Sequence, residues 1–242
     1  MKAIRIENLT KKYKDVVAVD GLSLEINSGE LFALLGINGA GKTTTIKMLS
    51  GLCEATSGDA FLFDKSIRKN SAEIKSFIAV SPQESAVAPA LSVYENLELI
   101  AGVFGFKKEV RKEKIERISK LLGLDEVKDR KAGKLSGGWQ RRLSIAMALI
   151  AKPKILFLDE PTLGLDVIAR SELWDTIRSL QGKVTVILTT HYMEEAEELS
   201  DRIAILRSGK LLICDTADAI KQKAETDSFE KAFIRIVKEG TV

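Results

Sequence analysis

The sequence predicts an α/β fold: a core with a mixed parallel sheet, an N-terminal antiparallel β-subdomain and a helical subdomain insertion. Three observations support this prediction. A short apolar strand, LFALL, leads through a glycine-rich loop into a helix. Helical periodicity replaces strand alternation from residue 92 to about residue 130. Apolar strands and amphipathic helices then alternate from residue 155 onward, which is typical of a parallel sheet covered by helices.

The predicted elements form one domain with four regions. We expect an antiparallel β region at residues 1–30, in which a charged turn from Lys11 to Asp15 joins two strands. A RecA-like core is expected at residues 31–90 and 152–214, with the helical subdomain at residues 91–151. The remaining residues, 215–242, are predicted to form a short C-terminal helical tail.

Composition excludes several classes of protein. The chain has 242 residues, of which 45% are apolar, enough for one large α/β domain with a real core. The net charge of +3 is too small to indicate a nucleic-acid partner, so none is expected. Cys53 and Cys214 form no CxxC pair, which fits a reducing cytoplasm. Because no apolar run approaches the roughly 20 residues that span a bilayer, a membrane function would need another chain.

The glycine-rich loop is the most specific motif. Residues Gly36 to Thr43 fill every position of the phosphate-binding pattern G-x-x-x-x-G-K-[ST]. Such a loop turns backbone N–H groups inward in front of a helix N-terminus and forms an anion site. We expect Lys42 to reach the terminal phosphates of a nucleoside triphosphate, and the Thr43 hydroxyl to hold Mg²⁺. A glycine-rich turn without a ligand is the weaker alternative, so the core is predicted to be that of a P-loop NTPase. The loop residues expected to bind the nucleotide are Gly36, Asn38, Gly39, Gly41, Lys42, Thr43 and Thr44.

Two carboxylates end the apolar run ILFLDE. A buried parallel strand explains the apolar part, and its C-terminal end lies at the edge where open α/β sheets bind ligands. We expect Asp159 to hold Mg²⁺, usually through water, and Glu160 to polarise the water that attacks the γ-phosphate. The alternative is a solvated strand end without a catalytic role.

A second candidate anion site lies at the start of the helix that is predicted at residues 137–151, just before Trp139. Ser136, Gly137 and Gly138 would offer a hydroxyl, exposed N–H groups and the positive end of the helix dipole. Taken alone, these residues are equally typical of an ordinary helix N-cap.

The order of the motifs resembles the ATP-binding-cassette (ABC) ATPase family over nearly the whole chain. The phosphate loop is followed by Gln83, LSGG, LFLDEP and a lone histidine, His191, after a strand. The resemblance implies that Gln83 contacts Mg²⁺ and the attacking water, and that His191 contacts the γ-phosphate. It also implies that Tyr13, in the predicted turn, stacks on adenine. Taken alone, that tyrosine and that histidine are more typical of structural roles.

The same resemblance implies a second subunit. In the family, the residues matching Ser136, Gly137 and Gly138 contact the γ-phosphate of ATP bound to the opposite subunit. Asp166 matches the end of a loop that crosses the dimer interface. The chain departs from the common signature at Trp139, where the family usually has Gln. The Ser and Gly contacts are still expected, and the departure puts in doubt only a hydrogen bond made by the side chain at position 139.

Together these matches predict an ATPase that uses ATP and Mg²⁺. It would form a homodimer, or a heterodimer with a related ATPase, and power a separate multi-span membrane permease. The segments GGWQRRL and TTHYMEEAEELSDRIAILRSGKLL resemble the ABC-2 or drug-resistance exporter branch. That implies a cytoplasmic location, peripheral on the inner face of the cell membrane. One alternative is a soluble ABC-type ATPase in a non-transport process. The other alternative is a P-loop kinase or a GTPase. The LSGG helix disfavours the kinase and the GTPase alike.

Overall fold

Two sheets organise the chain, and the computed structural model describes residues 1–240. The strands, in chain order, are β1 (Lys2–Tyr13), β2 (Val16–Asn27), β3 (Leu31–Leu35), β4 (Ser57–Leu62), β5 (Lys65–Ser66), β6 (Ile78–Ser81), β7 (Ile155–Asp159), β8 (Thr185–Thr190), β9 (Arg202–Arg207) and β10 (Lys210–Asp215). The first sheet has the order β2-β1-β4-β5 and is antiparallel. The second has the order β10-β9-β3-β8-β7-β6 and is parallel except for the β9–β10 pair.

The helices cover the second sheet or form the insertion. In chain order they are α1 (Lys42–Leu49), α2 (Ser71–Lys75), α3 (Val93–Val103), α4 (Lys108–Leu121), α5 (Gly137–Leu149), α6 (Val167–Arg178), α7 (Met193–Leu199), α8 (Ala217–Lys223) and α9 (Phe229–Glu239). A capping box starts α3, because Ser92 and Glu95 satisfy each other's backbone N–H groups. Among residues 1–240, no helix is both long and apolar enough to cross a membrane.

Strand β7 shows how the core is built. Its five residues are all buried, which is expected of a central parallel strand. Leu156 and Leu158 pack into the cluster that includes the helical subdomain, while Ile155 and Phe157 pack into the cluster beneath the antiparallel sheet. The sheet is therefore covered on both faces, and the predicted α/β fold is confirmed.

The parallel register aligns the strand ends that form the candidate site. Leu35 at the end of β3 pairs with Thr190 of β8, and Asp159 at the end of β7 pairs with Thr189. As a result, the loops that follow β3, β7 and β8 all leave the sheet at one edge, where ligands bind in open α/β sheets.

The structure differs from the prediction in the N-terminal half. Residues 57–66, expected in the core, lie in the antiparallel sheet because β4 pairs with β1. The predicted turn from Lys11 to Asp15 is shorter than expected. Strand β1 runs through Tyr13, with Lys11 and Lys12 pairing opposite Val19 and Val17, since exposed charges do not interrupt a half-exposed ladder.

Smaller differences concern element ends. Helix α5 begins at Gly137 as predicted but ends at Leu149 rather than at residue 151, and the short elements α2, β5 and β10 were not predicted. The predicted tail contains two helices, α8 and α9, whereas its last two residues, 241 and 242, lie outside the described residues.

Candidate nucleotide-binding site

The phosphate loop joins β3 to α1, and two of its glycines have no room for a side chain. Gly41 caps α1 with a φ of 99°, in the left-handed region that favours glycine. A Cβ there would lie 2.5 Å from the Ala18 carbonyl oxygen. A Cβ on Gly36 would lie 2.5 Å from the Leu206 carbonyl oxygen. The loop thus requires glycine where the motif has it.

Lys42 is held across this loop. Its side chain is only 6% exposed, and its Nζ donates a hydrogen bond to the Gly36 carbonyl at 2.7 Å. The same Nζ lies 3.3 Å from Oε1 of Glu160. A buried ammonium must be paired and hydrogen-bonded, and both conditions are met here. The predicted phosphate-binding lysine therefore lies next to the predicted catalytic carboxylate.

Two of the three residues expected to contact Mg²⁺, Thr43 and Asp159, are hydrogen-bonded to each other. The Thr43 hydroxyl donates to Oδ1 of Asp159 at 2.9 Å, and the Thr189 hydroxyl donates to the same oxygen at 2.6 Å. Mg²⁺ takes oxygen ligands, commonly one or two carboxylates together with water and substrate phosphates. Thr43 and Asp159 are such a donor set beside a phosphate loop, so the residues present fit the ion.

Glu160 is fixed by its surroundings on three sides. Its backbone N–H donates to the Thr189 hydroxyl at 3.0 Å, and its carbonyl accepts from Arg141 at 3.0 Å. Its Oε2 lies 2.7 Å from Nδ1 of His191, and its side chain is only 8% exposed. The backbone φ is 48°, a left-handed conformation that non-glycine residues adopt mainly where the structure enforces it.

Arg141, on α5, connects the loops beside this carboxylate. Its guanidinium, 4% exposed as a residue, donates to the carbonyls of Pro82 and Gln83 at 2.5 and 2.7 Å and to that of Glu160. Burial lowers the pKa of Arg141, and the nearby charge of Asp159 opposes this effect. One helical side chain thus holds the backbone on both sides of the site.

One cavity of about 470 Å³ brings most of the predicted residues together. Its lining includes the loop residues 38–44 and the side chains of Gln83, Glu160 and His191. Tyr13 is not part of this lining; its hydroxyl lies 3.8 Å from Cys53 Sγ, and Val16, Val17 and Ala18 line the cavity instead. The predicted stacking of Tyr13 on adenine therefore stays a prediction.

The signature residues lie outside that cavity. Ser136 is the N-cap of α5 and is exposed, and its hydroxyl makes no capping hydrogen bond in the part of the chain that the structure describes. A Cβ on Gly138 would lie 3.0 Å from Cβ of Ala169 in the first turn of α6. Asp166 is the N-cap of α6 and accepts from the Ala169 N–H at 2.9 Å. These residues form a second exposed edge with helix N-termini.

Trp139 acts as a packing residue. Its ring packs against the main core, with the Arg142 guanidinium 4.9 Å from the ring centroid. Gln140 does not replace the missing glutamine, because its Nε2 donates to the Ala132 carbonyl at 3.1 Å.

Three contributors to the site were not predicted from the sequence: Arg141, Thr189 and the segment from Val16 to Ala18. Arg141 had a detectable signal, since helical spacing places it on the same face as the buried residues Gly138 and Ile145. The polar end of the apolar strand VTVILTT was a weaker signal for Thr189.

The fold and the site define a nucleoside-triphosphate-binding cassette. Three features meet at one edge of the parallel sheet. They are the phosphate loop after β3, a carboxylate directly after β7, and a histidine after β8, which lies between β3 and β7. A helical insertion contributes a second exposed helix N-terminus.

The chain belongs to the ABC transporter family, whose pattern matches residues 19–163. The "Probable multidrug ABC transporter ATP-binding protein YbhF" of Escherichia coli (strain K12) is 38% identical over 240 residues, 97% of this chain and 41% of that protein. This chain therefore spans less than half the length of that relative. The "Nod factor export ATP-binding protein I" of Burkholderia orbicola (strain AU 1054) is 40% identical over 209 residues, 86% of this chain and 68% of that protein.

A solved structure is similar over most of the chain. It is the dimeric post-hydrolysis state of the ATP-binding cassette MJ0796 bound to ADP and Pi, with a TM-score of 0.78 and 27% identity. The match covers 88% of this chain and 98% of that one. These similarities confirm the predicted ABC ATPase family and its cassette fold.

Proposed function

We propose that this chain is the subunit of an export transporter that binds and hydrolyses Mg-ATP, pairs with a second cassette, and drives a separate multi-span permease. The observation that carries the proposal is the environment of Glu160. Its buried carboxylate contacts both Lys42 of the phosphate loop and His191. The next residue of the loop, Thr43, is hydrogen-bonded to Asp159, which directly precedes Glu160. A general base in that position is close to the group that binds the terminal phosphates.

Each of these side chains has a separate task in hydrolysis. Glu160 takes a proton from the attacking water, and His191 fixes the orientation of that carboxylate through its Nδ1 atom. Lys42 leaves its loop carbonyl for the terminal phosphates, whose charge it offsets. Thr43 and Asp159 would hold Mg²⁺, which neutralises phosphate charge when bound. Gln83, exposed at the cavity wall, is assigned to the attacking water.

The remaining site residues support a composite site. Ser136, Gly137 and Gly138 do not line the cavity of their own phosphate loop, among the residues that the structure describes. An exposed serine beside a helix N-terminus is suited to binding the γ-phosphate of ATP held by another cassette. We therefore assign two ATP molecules to the interface of two cassettes, either two copies of this chain or one copy and a related ATPase.

The permease and the cellular location follow from the same proposal. The two relatives have names that refer to multidrug transport and Nod factor export, which favours export as the direction. The segment from Gln83 to Leu91 lies between the core and the helical subdomain, and we assign the permease contact to it. The chain would then work on the cytoplasmic face of the membrane. A soluble cassette acting outside transport is less favoured by these relatives.

Steady-state ATP turnover by the purified chain is the first test. Lys42→Ala should abolish turnover, and Glu160→Gln should lower kcat by about 10²–10³-fold, as expected for loss of a general base. Phosphate transfer to an acceptor in place of hydrolysis would overturn the proposal.

A detergent pull-down from native membranes tests the transport part. We expect a multi-span membrane protein to co-purify with the tagged chain. Ribosomes or DNA in its place would favour the soluble alternative.

A further inference from the structure

A second cavity, of about 950 Å³, lies at the end of the parallel sheet opposite the phosphate loop. Its lining includes Gly29, Lys154 and Thr185, which lie at or just before the amino-terminal ends of β3, β7 and β8. The other wall comes from Arg117 and Leu121 on α4, in the helical insertion. The cavity therefore lies between two parts of the fold and has no residue in common with the nucleotide cavity.

The inner wall is apolar. Its main apolar side chains are Ile118, Leu121, Leu149, Pro153, Leu180 and Val184. A volume of this size with mainly apolar walls and a few polar groups is typical of sites for small organic ligands.

The rim of this cavity is basic. The cations that line it are Arg117, Lys120, Lys152, Lys154 and Lys183, and no Asp or Glu of residues 1–240 belongs to the lining. None of the five forms an ion pair within 4.0 Å in the described part of the chain, whereas basic side chains elsewhere do. Lys114 lies nearby, and its pKa is lowered first by burial and then by the charges of Lys152 and Arg117. The charge of Glu113 opposes these effects on Lys114, but no carboxylate of residues 1–240 is paired with a cation of the rim, so positive charge is crowded here.

Several of these cations lie at helix C-termini, where positive charge is favoured: Lys120 is in the last turn of α4, and Lys152 follows the end of α5. Lys183 donates to the Ser179 carbonyl at 2.8 Å at the end of α6, and Lys154 lies 5.4 Å from the centroid of the Phe63 ring. Arg117, Lys120 and Lys152 are exposed, and their side chains form no hydrogen bond or ion pair within residues 1–240. Their charges are free to bind an anion.

The backbone at Lys152 is unusual as well. Its φ of 55° lies in the left-handed region, which glycine would adopt without strain after a helix. A long cationic side chain therefore stands at the cavity rim on a backbone that does not favour it.

We propose that this cavity binds a monomeric anionic amphiphile. The head is a carboxylate or phosphate that pairs with Arg117 and Lys152, and the single alkyl chain packs between α4 and β8. The planar guanidinium of Arg117 suits two-point binding of such a head, and Lys152 adds a point charge. An apolar wall under an uncompensated basic rim discriminates against both inorganic anions and cationic amphiphiles.

Isothermal titration calorimetry with dodecyl phosphate, below its micelle concentration, tests this proposal. We expect one bound molecule per chain, and weaker or absent binding of inorganic phosphate and of dodecyltrimethylammonium. The double variant Arg117→Glu/Lys152→Glu should weaken binding by about tenfold or more for each charge-assisted hydrogen bond that it removes. Leu121→Trp, which fills the cavity mouth without changing charge, should weaken it too.

Matched controls separate this site from others. Lys231→Glu/Lys238→Glu makes the same change of charge on the exposed face of α9 and should leave binding unchanged. Lys42→Ala should also leave it unchanged, because the phosphate loop is not involved. The proposal is wrong if either control weakens binding as much as the rim variant. It is also wrong if dodecyltrimethylammonium binds as tightly as dodecyl phosphate. A parallel assay with anionic vesicles gives a further check, and binding of vesicles without binding of dodecyl phosphate would also show that the proposal is wrong.

Discussion

Nδ1 of His191 lies 2.7 Å from Oε2 of Glu160, and this contact fixes one oxygen of the buried carboxylate. The other oxygen, Oε1, lies 3.3 Å from Lys42 Nζ. A carboxylate with both oxygens engaged has a defined orientation, which a general base needs. The geometry links the loop after β8 to the phosphate loop through a single side chain.

Removing the imidazole should slow hydrolysis more than it weakens ATP binding. We expect His191→Ala to lower kcat by about 10²-fold, since Glu160 loses the partner that orients it, with a smaller change in KM. Steady-state ATP turnover at varied ATP concentrations measures both constants. His191→Gln, which can still donate a hydrogen bond, should retain more activity than the alanine variant.

The stability of the fold serves as the control for that prediction. The His191 side chain is 31% exposed, so its removal should change the thermal midpoint little. A large drop in that midpoint, or equal losses with Gln and Ala, would contradict the orienting role.

Arg141 should also affect hydrolysis, because it holds the backbone of Glu160 while His191 holds the Glu160 side chain. Arg141→Gln cannot reach the carbonyls of Pro82, Gln83 and Glu160 together, so the backbone of both loops loses its shared donor. We expect kcat to fall at least about tenfold with a smaller effect on KM, and the free energy of unfolding to fall by about 1–3 kcal/mol. Turnover kinetics and urea denaturation measure the two effects.

Two further variants make the Arg141 experiment specific. Arg141→Lys keeps the charge but not the planar fork, so it should restore only part of kcat. Arg178→Gln removes the charge of an α6 side chain that is 44% exposed, and this change should be neutral. A loss of stability at Arg141 without any loss of kcat would show that the residue serves the fold alone.

Much of the site could be predicted because its chemistry is local in the sequence. Residues 36–43 form a continuous motif, and Asp159 and Glu160 directly follow an apolar strand. The parallel register then brings Asp159 beside Thr43, as expected for strand ends at one edge of a sheet.

The parts that could not be predicted depend on tertiary contacts. Helical spacing indicates that Arg141 is buried but not what it binds, because its three partners are backbone carbonyls distant in sequence, which leave no trace in side-chain patterns. Strand β4 lies in the antiparallel sheet because it pairs with β1, and β5 lies there because it pairs with β4; strand propensity alone does not specify these partners. The extension of β1 through Lys11 and Lys12 likewise depends on its partner β2.

Glu195 on α7 should make stability depend on pH. Burial raises the pKa of this carboxyl above its usual value, although the Trp174 indole N–H donates to it at 3.2 Å. Its contribution to stability is therefore full below the unfolded-state pKa and is lost as the pH rises through the raised folded-state pKa. Each unit of difference between the two pKa values corresponds to about 1.4 kcal/mol.

The variant Glu195→Gln isolates this effect. It keeps the shape of the side chain without its charge, so its stability relative to the parent chain should increase as the pH is raised from 5 to 9. Thermal denaturation across that range measures the difference. A difference that stays constant with pH would show that Glu195 does not titrate in this way.

The composite site is the central claim, and the most direct test uses the hydrolysis-deficient variant. Light scattering of Glu160→Gln with Mg-ATP should show a stable dimer that is absent without nucleotide. The double variant Glu160→Gln/Ser136→Glu should form no such dimer, because the new carboxylate would repel the γ-phosphate of the ATP bound to the other chain. Glu230→Gln, a matched change at an exposed position, should form no stable dimer because it still hydrolyses ATP. A Glu160→Gln chain that stays monomeric with Mg-ATP at every concentration would contradict pairing between two copies of this chain.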